Sequence, residues 1–289
     1  MCQITGVSRA SYYREWEKKA GLQEETELRD QIQKVSLRIR HYGRRRVIEE
    51  LRKQGCTASQ HKIRKMLKED NLLAVRKRKF VVTTKKNNQF RVYPNLAERL
   101  ELTDLNQLWV ADITYIRLRE EFVYLAVVLD AFSRKVVGWA LGRDLKTSLA
   151  LEALQKALDS RRPGPGLVHH SDQGCQYACH AYVELLDRYK AFMSMSRPGR
   201  PWENGRCESF IKTLKQEEIY ARPYQDLPEL EQHMEEFMDQ FYNRERLHSA
   251  LGYRSPEEFE AKVARERSAQ GMPAALTLTQ HKEVYSHVR

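Results

Sequence analysis

The sequence predicts an α/β fold, in which a mixed five-stranded sheet flanked by helices follows a small, all-helical N-terminal region. Apolar residues in the first third of the chain recur at the spacing of amphipathic helices. Three β-branched or aromatic runs then follow one another across short polar breaks. After them, helical and short apolar segments alternate. The resulting order, βββαβαβα, is typical of a mixed sheet with helices packed on it.

Charge is distributed unevenly along the chain. Its 289 residues include 50 Lys and Arg and 39 Asp and Glu, which gives a net charge of +11. Residues 1–100 hold 25 of the bases and 11 of the acids, a net charge of +14, so that residues 101–289 carry −3. A basic region joined to a nearly neutral remainder predicts a polyanionic partner, of which nucleic acid is the obvious case. A merely solvated basic surface is the alternative.

Composition excludes several classes of protein. Hydrophobic residues make up 41% of the chain, which is too many for a wholly disordered protein. No apolar run approaches the roughly 20 residues that span a bilayer, and the first ten residues lack the apolar core of a signal peptide. The five cysteines are scattered and too few for a disulfide scaffold. We therefore expect no membrane partner and a reduced, cytoplasmic location.

From residue 24 onward, the N-terminal region has the pattern of three helices. An amphipathic helix is expected over residues 24–40. A second helix should end at Gly55, and Thr57 or Ser59 can cap a third. The apolar positions of these helices are Leu28, Ile32, Val35 and Ile39, then Val47, Ile48 and Leu51, then Ile63, Met66 and Leu67. Helix, glycine-containing turn and helix together resemble a helix-turn-helix unit, although an ordinary αα-hairpin fits the same segment.

Basic residues in this region are the predicted DNA contacts. They are Arg44, Arg45 and Arg46 just before the second helix, Lys62, Arg64 and Lys65 on the third helix, and Arg76, Lys77, Arg78 and Lys79 beyond it. We expect residues 1–95 to form a DNA-binding region with its linker at about 76–95. The remaining chain divides into a core at 96–262 and a tail at 263–289.

The core should contain five strands. The first three are expected to pair antiparallel, and the helices between and after the others should pack on the sheet. The strands are expected over 109–116, 122–130, 135–141, 167–170 and 192–195, and the helices over 147–161, 177–189 and 202–220.

Three carboxylates stand at informative positions. Asp112 lies inside the first strand, where an acid is unfavourable unless it is paired, solvated or bound to a metal. Asp172 follows the fourth strand, and Glu208 lies early in the last predicted helix. If these acids meet, their mutual repulsion requires a cation, and Mg²⁺ prefers such oxygen ligands. We therefore predict a site for two Mg²⁺ ions, with Mn²⁺ as a substitute, suited to phosphoryl transfer.

Basic and aromatic residues surround the predicted acids. Lys212 and Lys215 follow Glu208 by four and seven residues and share its helix face, as expected for cations that meet a phosphate backbone. Arg197, Arg200 and Trp202 occupy the preceding loop and can hold phosphate and stack on an unpaired base. A surface Glu–Lys pair and a static loop are the structural alternatives.

The ordered motifs of residues 109–260 closely resemble the catalytic domain of retroviral-integrase-like (DDE) transposases. The resemblance is narrower still to the OrfB-type transposases of the IS three family of bacterial insertion sequences. The matching segments are 109–116, 124–130 with Ser133-Arg134, 169–174, 194–197, 203–215 and 241–256, and residues 42–80 resemble the family's helix-turn-helix-like segment. One departure from the family pattern is Tyr189-Lys190-Ala191, where a glycine is common.

This resemblance implies an RNase H-like fold and a transposase that cuts and joins DNA. Asp112, Asp172 and Glu208 then form the metal-binding catalytic triad, and Lys215 approaches terminal DNA. The implied partners are the terminal inverted repeats of the element, target DNA, the OrfA protein or an OrfAB fusion, and further copies of the chain on DNA. The implied location is the bacterial cytoplasm, associated with the nucleoid.

Two other functions remain open at this point. The chain could bind specific DNA sequences without catalysis, or it could be an RNase H-like nuclease. A zinc site at Cys175, Cys179, His180 and Cys207 is disfavoured because the usual paired spacing is absent, and we expect these cysteines to pack as small residues.

Overall fold

A computed structural model describes residues 9–70, 72 and 91–269, with side chains from residue 24 onward. The chain divides into two compact units, Met1–Val81 and Val82–Arg289, which we call the N-terminal and C-terminal units. No helix in the described part of the chain is long and apolar enough to cross a membrane. The predicted boundary near residue 95 remains a prediction, because most of residues 71–90 lie outside the description.

The described residues of the N-terminal unit form three helices, α1 (Arg9–Arg38), α2 (Arg44–Lys53) and α3 (Gln60–Glu69). Helix α1 begins earlier than the predicted helix over 24–40 and ends two residues before it. All of the predicted apolar positions of the three helices are buried. Amphipathic spacing therefore located this small core correctly.

Local backbone chemistry fixes the turn between α2 and α3. Gly55 has a positive φ of 85°, and the Cys56 N–H donates to the Leu51 carbonyl at 2.9 Å, which closes α2 in a Schellman motif. Ser59 then caps α3, since its hydroxyl accepts the Lys62 N–H at 3.3 Å. The predicted stop at Gly55 and the predicted cap at Ser59 are both confirmed.

The C-terminal unit is built on a five-stranded sheet in the order β3-β2-β1-β4-β5. Strands β1, β2 and β3 pair antiparallel, whereas β4 pairs parallel with both β1 and β5. The strands are β1 (Leu108–Arg117), β2 (Phe122–Asp130), β3 (Val136–Gly142), β4 (Val168–Ser171) and β5 (Phe192–Met195). The predicted mixed five-stranded sheet is confirmed, with strand ends that differ from the prediction by one residue at most.

Helices cover both faces of this sheet. The α-helices are α4 (Thr147–Arg161), α5 (Cys175–Ala178), α6 (His180–Arg188), α7 (Gly205–Leu214), α8 (Leu227–Glu235) and α9 (Pro256–Ala269). Helices α7 and α8 continue as π-helical segments over Lys215–Ile219 and Glu236–Glu245, and short 3₁₀ turns cover Pro201–Asn204 and Ser249–Leu251. One core forms between the sheet and α7 and α8, and the other between the sheet and α4 and α6.

A glycine allows α4 to lie close to the sheet. A side chain at Gly138 of β3 would place its Cβ only 2.3 Å from the Ala153 carbonyl oxygen of α4. Only glycine therefore permits this approach, through which Ala153, Leu154 and Ala157 become buried.

Two predicted helices have different bounds in the structure. The helix expected over 177–189 is divided into α5 and α6, because Cys179 adopts an extended backbone with φ −73° and ψ 152°. The helix expected over 202–220 is a 3₁₀ turn, α7 and a π-helical segment in succession. Helix α9 runs past residue 263, where the tail was expected to begin, and residues 270–289 lie outside the described part.

The segment before β1 belongs to the C-terminal unit from residue 91 onward. The Leu96 N–H donates to the Ser194 hydroxyl at 2.9 Å, and the Asn95 side-chain amide donates to Glu203 at 2.9 Å. These bonds tie the segment to β5 and to the turn that precedes α7. It therefore forms one wall of the region in which the predicted site residues lie.

Candidate active site and nucleic-acid contacts

Strand pairing brings the two aspartates to the same level of the sheet. In the parallel pair β1–β4, Trp109 lies opposite His169 and Val110 lies opposite His170, a register offset of 60 residues. Asp112 and Asp172 are separated by the same offset and follow just beyond these paired residues. Since neighbouring strands lie about 4.8 Å apart, both carboxylates extend from adjacent backbones.

The loop after β4 fits tightly around Asp172. The Gly174 N–H donates to Asp172 Oδ1 at 2.8 Å, and a Cβ at Gly174 would lie 2.9 Å from that same oxygen. Nearby, the buried Tyr177 phenol has a pKa that burial raises well above its ordinary value, and the charges of Asp112 and Asp172 raise it further. Both aspartates are thus close to one buried side chain.

Helix α7 brings Glu208 to the aspartates. The buried Asn204, at the start of this helix, donates from its side-chain amide to the Ala111 carbonyl at 2.9 Å. That bond anchors the helix beside Asp112. The next helical turn presents Glu208 to solvent, whereas its neighbour Cys207 is fully buried.

The Cys207 thiol is influenced by all three acids. Burial raises the pKa of this thiol well above its ordinary value, and the negative charges of Asp112, Asp172 and Glu208 each raise it further. The three carboxylates therefore all lie close enough to Cys207 of α7 to affect its pKa. Residues that are 60 and 36 positions apart in sequence are neighbours in the fold.

The donor set fits a divalent ion in its chemistry. Three carboxylates offer only the hard oxygen ligands that Mg²⁺ and Mn²⁺ prefer. As the side chains stand, however, no three His, Cys, Asp or Glu residues among those described are close enough together to hold an ion. The three carboxylates thus fit a divalent ion by their donor type and by the placement of their backbone. Their role as metal ligands stays a prediction.

Lys215 lies on the same side of α7 as Glu208. Its ammonium is 4.7 Å from the centre of the Tyr115 ring, and the residue is half-buried. Burial lowers the pKa of Lys215, whereas the charge of Asp112 raises it. Lys212, one turn earlier, is exposed. Of the two predicted cations, Lys215 is therefore fixed against Tyr115, whereas Lys212 is solvated.

The two arginines in the loop before α7 differ in how strongly they are bound to the rest of the protein. Arg197 donates to Glu203 from its backbone N–H at 2.8 Å and from its side chain at 2.6 Å, and it also pairs with Glu98. Although burial raises the pKa of Glu203, these bonds and that from Asn95 lower it to about 2. Arg197 thus links two segments of the protein, which is a structural role that the sequence did not indicate.

Arg200 and Trp202 remain more accessible. Arg200 is exposed, with its guanidinium 3.6 Å from Glu203, and Trp202 exposes 68% of its surface. An exposed indole beside a basic loop is a suitable stacking platform for a base. Their contacts with DNA stay predictions.

The basic residues of the N-terminal unit differ in exposure. Arg45, Arg64 and Lys65 are exposed, and Arg44, Arg46 and Lys62 are half-buried. The guanidinium of Arg46 lies 5.6 Å from the centre of the Tyr42 ring. Arg76, Lys77, Arg78 and Lys79 lie outside the described residues. DNA binding by each of these residues remains a prediction.

Two buried histidines precede Asp172. His169 contacts the Tyr182 hydroxyl through Nε2 at 3.1 Å, and His170 contacts the Ser194 hydroxyl through Nδ1 at 2.8 Å. Burial lowers the pKa of His169 to about 3 and that of His170 to about 4. Both are fully buried, so each side chain meets its partner in the interior of the C-terminal unit.

The cysteines behave differently from one another. Cys207 is buried, as expected of a small packing residue, whereas Cys175 is exposed, contrary to that expectation. Cys175 begins α5, where the chain leaves the sheet, and it therefore stands at the surface.

Sequence reasoning missed the roles of Asn243 and Arg246. Asn243 is buried and bonds through its side-chain amide to both the N–H and the carbonyl of Val136, each at 3.0 Å, so that it extends the edge of β3. Arg246 forms two 2.7 Å bonds with Glu217 of the π-helical segment that follows α7. These residues join the C-terminal helices to the sheet and to the continuation of α7. Both structural roles were missed because the partners of Asn243 and Arg246 are far away in sequence.

Comparison with known proteins agrees with this architecture. Models described as "Integrase core domain" match residues 103–201 and 189–256, and a model described as "HTH-like domain" matches residues 23–80. The solved catalytic core of bovine immunodeficiency virus integrase is similar over 56% of this chain and 99% of its own, with 18% identity and a TM-score of 0.41.

Full-length relatives are more informative. The chain is 37% identical to the "Insertion element IS600 uncharacterized 31 kDa protein" of Shigella sonnei, over 91% of this chain and 98% of the relative. It is 32% identical to "Transposase InsF for insertion sequence IS3A" of Escherichia coli strain K12, over 91% and 93% respectively. The mixed five-stranded sheet flanked by helices, the helix-turn-helix-like region and the family resemblance read from the sequence are all confirmed. The chain belongs to the integrase-core transposases of bacterial insertion sequences, the family that includes InsF of IS3.

Proposed function

We propose that this transposase cuts and joins DNA at the ends of its element through a metal site formed by Asp112, Asp172 and Glu208. The observation that carries the assignment is the register of β1 and β4, which brings Asp112 and Asp172 to the same level of neighbouring strands. The bond of Asn204 to Ala111, which anchors the helix of Glu208 beside Asp112, supports the same assignment, as does the effect of all three carboxylates on the pKa of Cys207.

Divalent metal is the cofactor expected of a DDE enzyme, and two Mg²⁺ ions, replaceable by Mn²⁺, are our proposal for this site. When bound, they would activate the attacking oxygen and stabilise the leaving oxygen of an in-line displacement. The protein's own contribution is to orient the three carboxylates. Strand β1 carries Asp112, the end of β4 places Asp172 beside it, and the Asn204–Ala111 bond sets the position of the helix that carries Glu208.

The proposed reaction has two phosphoryl-transfer steps. Water first attacks the phosphorus at an element end, so that a new P–O bond forms and the bond to the 3′-oxygen breaks. The released 3′-oxygen takes up a proton as a hydroxyl. That hydroxyl then gives up its proton and attacks a second phosphodiester, whose own 3′-oxygen leaves. No covalent bond to the protein is needed in either step.

Cations near the triad would position the DNA strand. Lys215 is held beside Asp112 and Tyr115, and Lys212 is exposed one turn away on the same face of α7. We propose that they bind phosphates of the terminal DNA, while the basic residues of the N-terminal unit bind the inverted repeat further away. DNA binding is expected of the HTH-like domain that residues 23–80 match.

The remaining partners are also proposals. They are the OrfA protein, supplied separately or as an OrfAB fusion, and further copies of the chain that hold two DNA ends together. The proposed location is the bacterial cytoplasm, on the nucleoid.

Strand transfer on labelled element-end DNA with Mg²⁺ tests this function. Asp112→Asn and Glu208→Gln should each abolish cutting and joining, because each removes a charged ligand without a change in size. Asp187→Asn, an exposed acid at the end of α6, is the matched control and should retain the activity of the parent. If Asp112→Asn and Glu208→Gln cut and joined as well as the parent, the proposed mechanism would be wrong.

Two further outcomes would redirect the assignment. Tight binding of element ends without cutting, under all metal conditions, would indicate a DNA-binding protein without catalysis. Preferential cleavage of RNA in RNA–DNA hybrids would indicate a nuclease with the same fold.

A further inference from the structure

Two arginines that the triad does not use line one cleft of the C-terminal unit. Arg134 lies in the turn between β2 and β3, and Arg206 lies in the first turn of α7, two residues before Glu208. Both border a cleft of about 530 Å³, together with the exposed Trp202 and with Ser209. The fold thus brings together two cations that are 72 residues apart in sequence.

Within the described part of the chain, neither guanidinium has an ion pair or a hydrogen bond. By contrast, Arg161, Arg197 and Arg246 of this unit each bind a carboxylate. Arginine carries five donors in a planar fork that suits a carboxylate or a phosphate. Arg134 and Arg206 have no such partner among the described residues. Their donors are therefore available to an anion from outside the protein.

The carboxylates of the cleft are already engaged elsewhere. Glu98 and Glu203 also line it, but both bind Arg197. Asp130 lies close enough to raise the pKa of Arg206, yet it is fully buried and accepts the N–H groups of Asn106, Phe132 and Ser133. None of these acids therefore neutralises the arginine pair.

The arrangement is electrostatically costly for the protein alone. Burial lowers the pKa of Arg134, which is half-buried. Arg206 is exposed, yet desolvation by its surroundings lowers its pKa, and the charge of Arg134 lowers it further. Like charges held near each other without a counter-ion destabilise the folded state, and a bound anion would relieve that repulsion.

We propose that Arg134 and Arg206 form a subsite for one backbone phosphate of a DNA strand, with Trp202 beside it as a stacking surface for a base. The ligand identity rests on the proposed transposase function. Residues two apart on a helix lie roughly 200° from each other around its axis. A phosphate bound here would therefore meet α7 on the side away from Glu208, Lys212 and Lys215, so that DNA could contact the catalytic helix on two sides.

The dependence of DNA affinity on salt concentration tests this subsite in the full chain. Binding to a short fluorescent duplex of arbitrary sequence suffices, because phosphate contacts do not depend on sequence. Each phosphate contact contributes about 0.9 to the slope of log K against log salt concentration. The double variant Arg134→Gln/Arg206→Gln should lower the slope by about that amount. Arg188→Gln, at an exposed ion pair on α6, is the control for loss of a surface arginine and should keep the slope of the parent. An unchanged slope in the double variant would overturn the subsite.

Inorganic phosphate supplies a second arm that does not depend on DNA. It should raise the melting temperature of the parent and of Arg188→Gln, and this rise should be smaller for Arg134→Gln/Arg206→Gln. An equal rise in all three proteins would count against an anion site. A smaller rise with an unchanged DNA slope would assign the pair to a free anion and overturn the DNA subsite.

Strand transfer by the parent, measured in parallel with Mg²⁺, separates the two proposals. A lower slope in the double variant with an inactive parent would support the subsite and count against the proposed function. An unchanged slope with an active parent would overturn the subsite alone.

Discussion

The ammonium of Lys215 lies 4.7 Å from the centre of the Tyr115 ring, three residues along β1 from Asp112. Strand β4 ends at Ser171 and its pairing with β1 at Val110, so this part of β1 has no partner on the β4 side. The open edge leaves Tyr115 accessible and lets α7 place a cation against it. The contact with Tyr115 thus sets the position of the Lys215 charge near Asp112, a predicted metal ligand.

This contact predicts a coupled effect of Tyr115 and Lys215 on DNA joining. A cation–π contact at a partly exposed site is worth about 0.5–1 kcal/mol, which corresponds to a two- to fivefold change in rate. We expect Tyr115→Ala to slow strand transfer by about that factor, and Tyr115→Phe, which keeps the ring, to retain the parent rate. In a Lys215→Gln background, Tyr115→Ala should have little further effect. If it slowed joining equally in both backgrounds, Tyr115 would not act through Lys215.

The ion pair of Arg246 and Glu217 predicts a large loss of stability when it is broken. The exposed fractions of the two side chains are 4% and 8%. Removing one partner of a buried pair leaves a charge without compensation, which costs about 3–5 kcal/mol. Glu217→Gln should therefore lower the free energy of unfolding by about that amount in chemical denaturation. Because Glu217 lies on the continuation of α7, strand transfer should fall as well.

An exposed pair provides the control for that comparison. Glu184→Gln breaks the pair with Arg188 on α6, whose side chains expose 51% and 68% of their surface. Such surface pairs contribute about 0–1 kcal/mol. Equal losses of stability in Glu217→Gln and Glu184→Gln would contradict the structural role assigned to Arg246.

The sheet could be predicted from sequence because its signals are local. Strand β2 has the predicted bounds, Phe122–Asp130, since aliphatic and aromatic residues run without interruption between two polar breaks. The three acids were recognisable because each interrupts or follows a strongly patterned segment. Their proximity, in contrast, depends on the parallel register of β1 and β4, which no local pattern reports.

Other features depend on partners far away in sequence. The bond of Asn243 to Val136 spans 107 residues, and the clamp of Arg197 on Glu98 spans 99. The break at Cys179 was missed because the residues on both sides of it have helical spacing, while the tertiary fold imposes an extended backbone at that one position. Sequence reasoning identified the chemistry of these side chains but not the atoms that they meet.

The turn after α6 predicts a stabilising substitution. Lys190 has a positive φ of 53°, and the Ala191 N–H donates to the Leu186 carbonyl at 3.0 Å, which is the Schellman geometry that favours glycine. The left-handed conformation costs a residue with a side chain roughly 1–2 kcal/mol, part of which glycine gives back through the greater entropy of its unfolded state. We expect Lys190→Gly to raise the free energy of unfolding by about 0.5–1 kcal/mol in chemical denaturation followed by tryptophan fluorescence.

A glycine inside the same helix is the matched comparison. Arg188→Gly should lower the free energy of unfolding by about 1 kcal/mol, because there the backbone is helical and glycine is unfavourable. A loss of stability in both variants would show that Lys190 is not strained by its backbone conformation.

His169 predicts how stability depends on pH. Its pKa is about 3 in the folded protein, since burial disfavours the charged form, and about 6.5 when it is unfolded. The unfolded chain therefore binds the proton first as the pH falls. The contribution of His169 to stability is complete above about pH 6.5 and is lost progressively towards pH 3, by up to about 1.4 kcal/mol per pH unit.

The variant His169→Gln tests this dependence. Between about pH 6 and pH 4, its free energy of unfolding should fall less steeply with pH than that of the parent, by up to about 1.4 kcal/mol per pH unit, whatever its absolute stability. His180→Gln, where the side chain is 93% exposed, should keep the slope of the parent. A parent-like slope in His169→Gln would mean that this histidine is not buried in its neutral form.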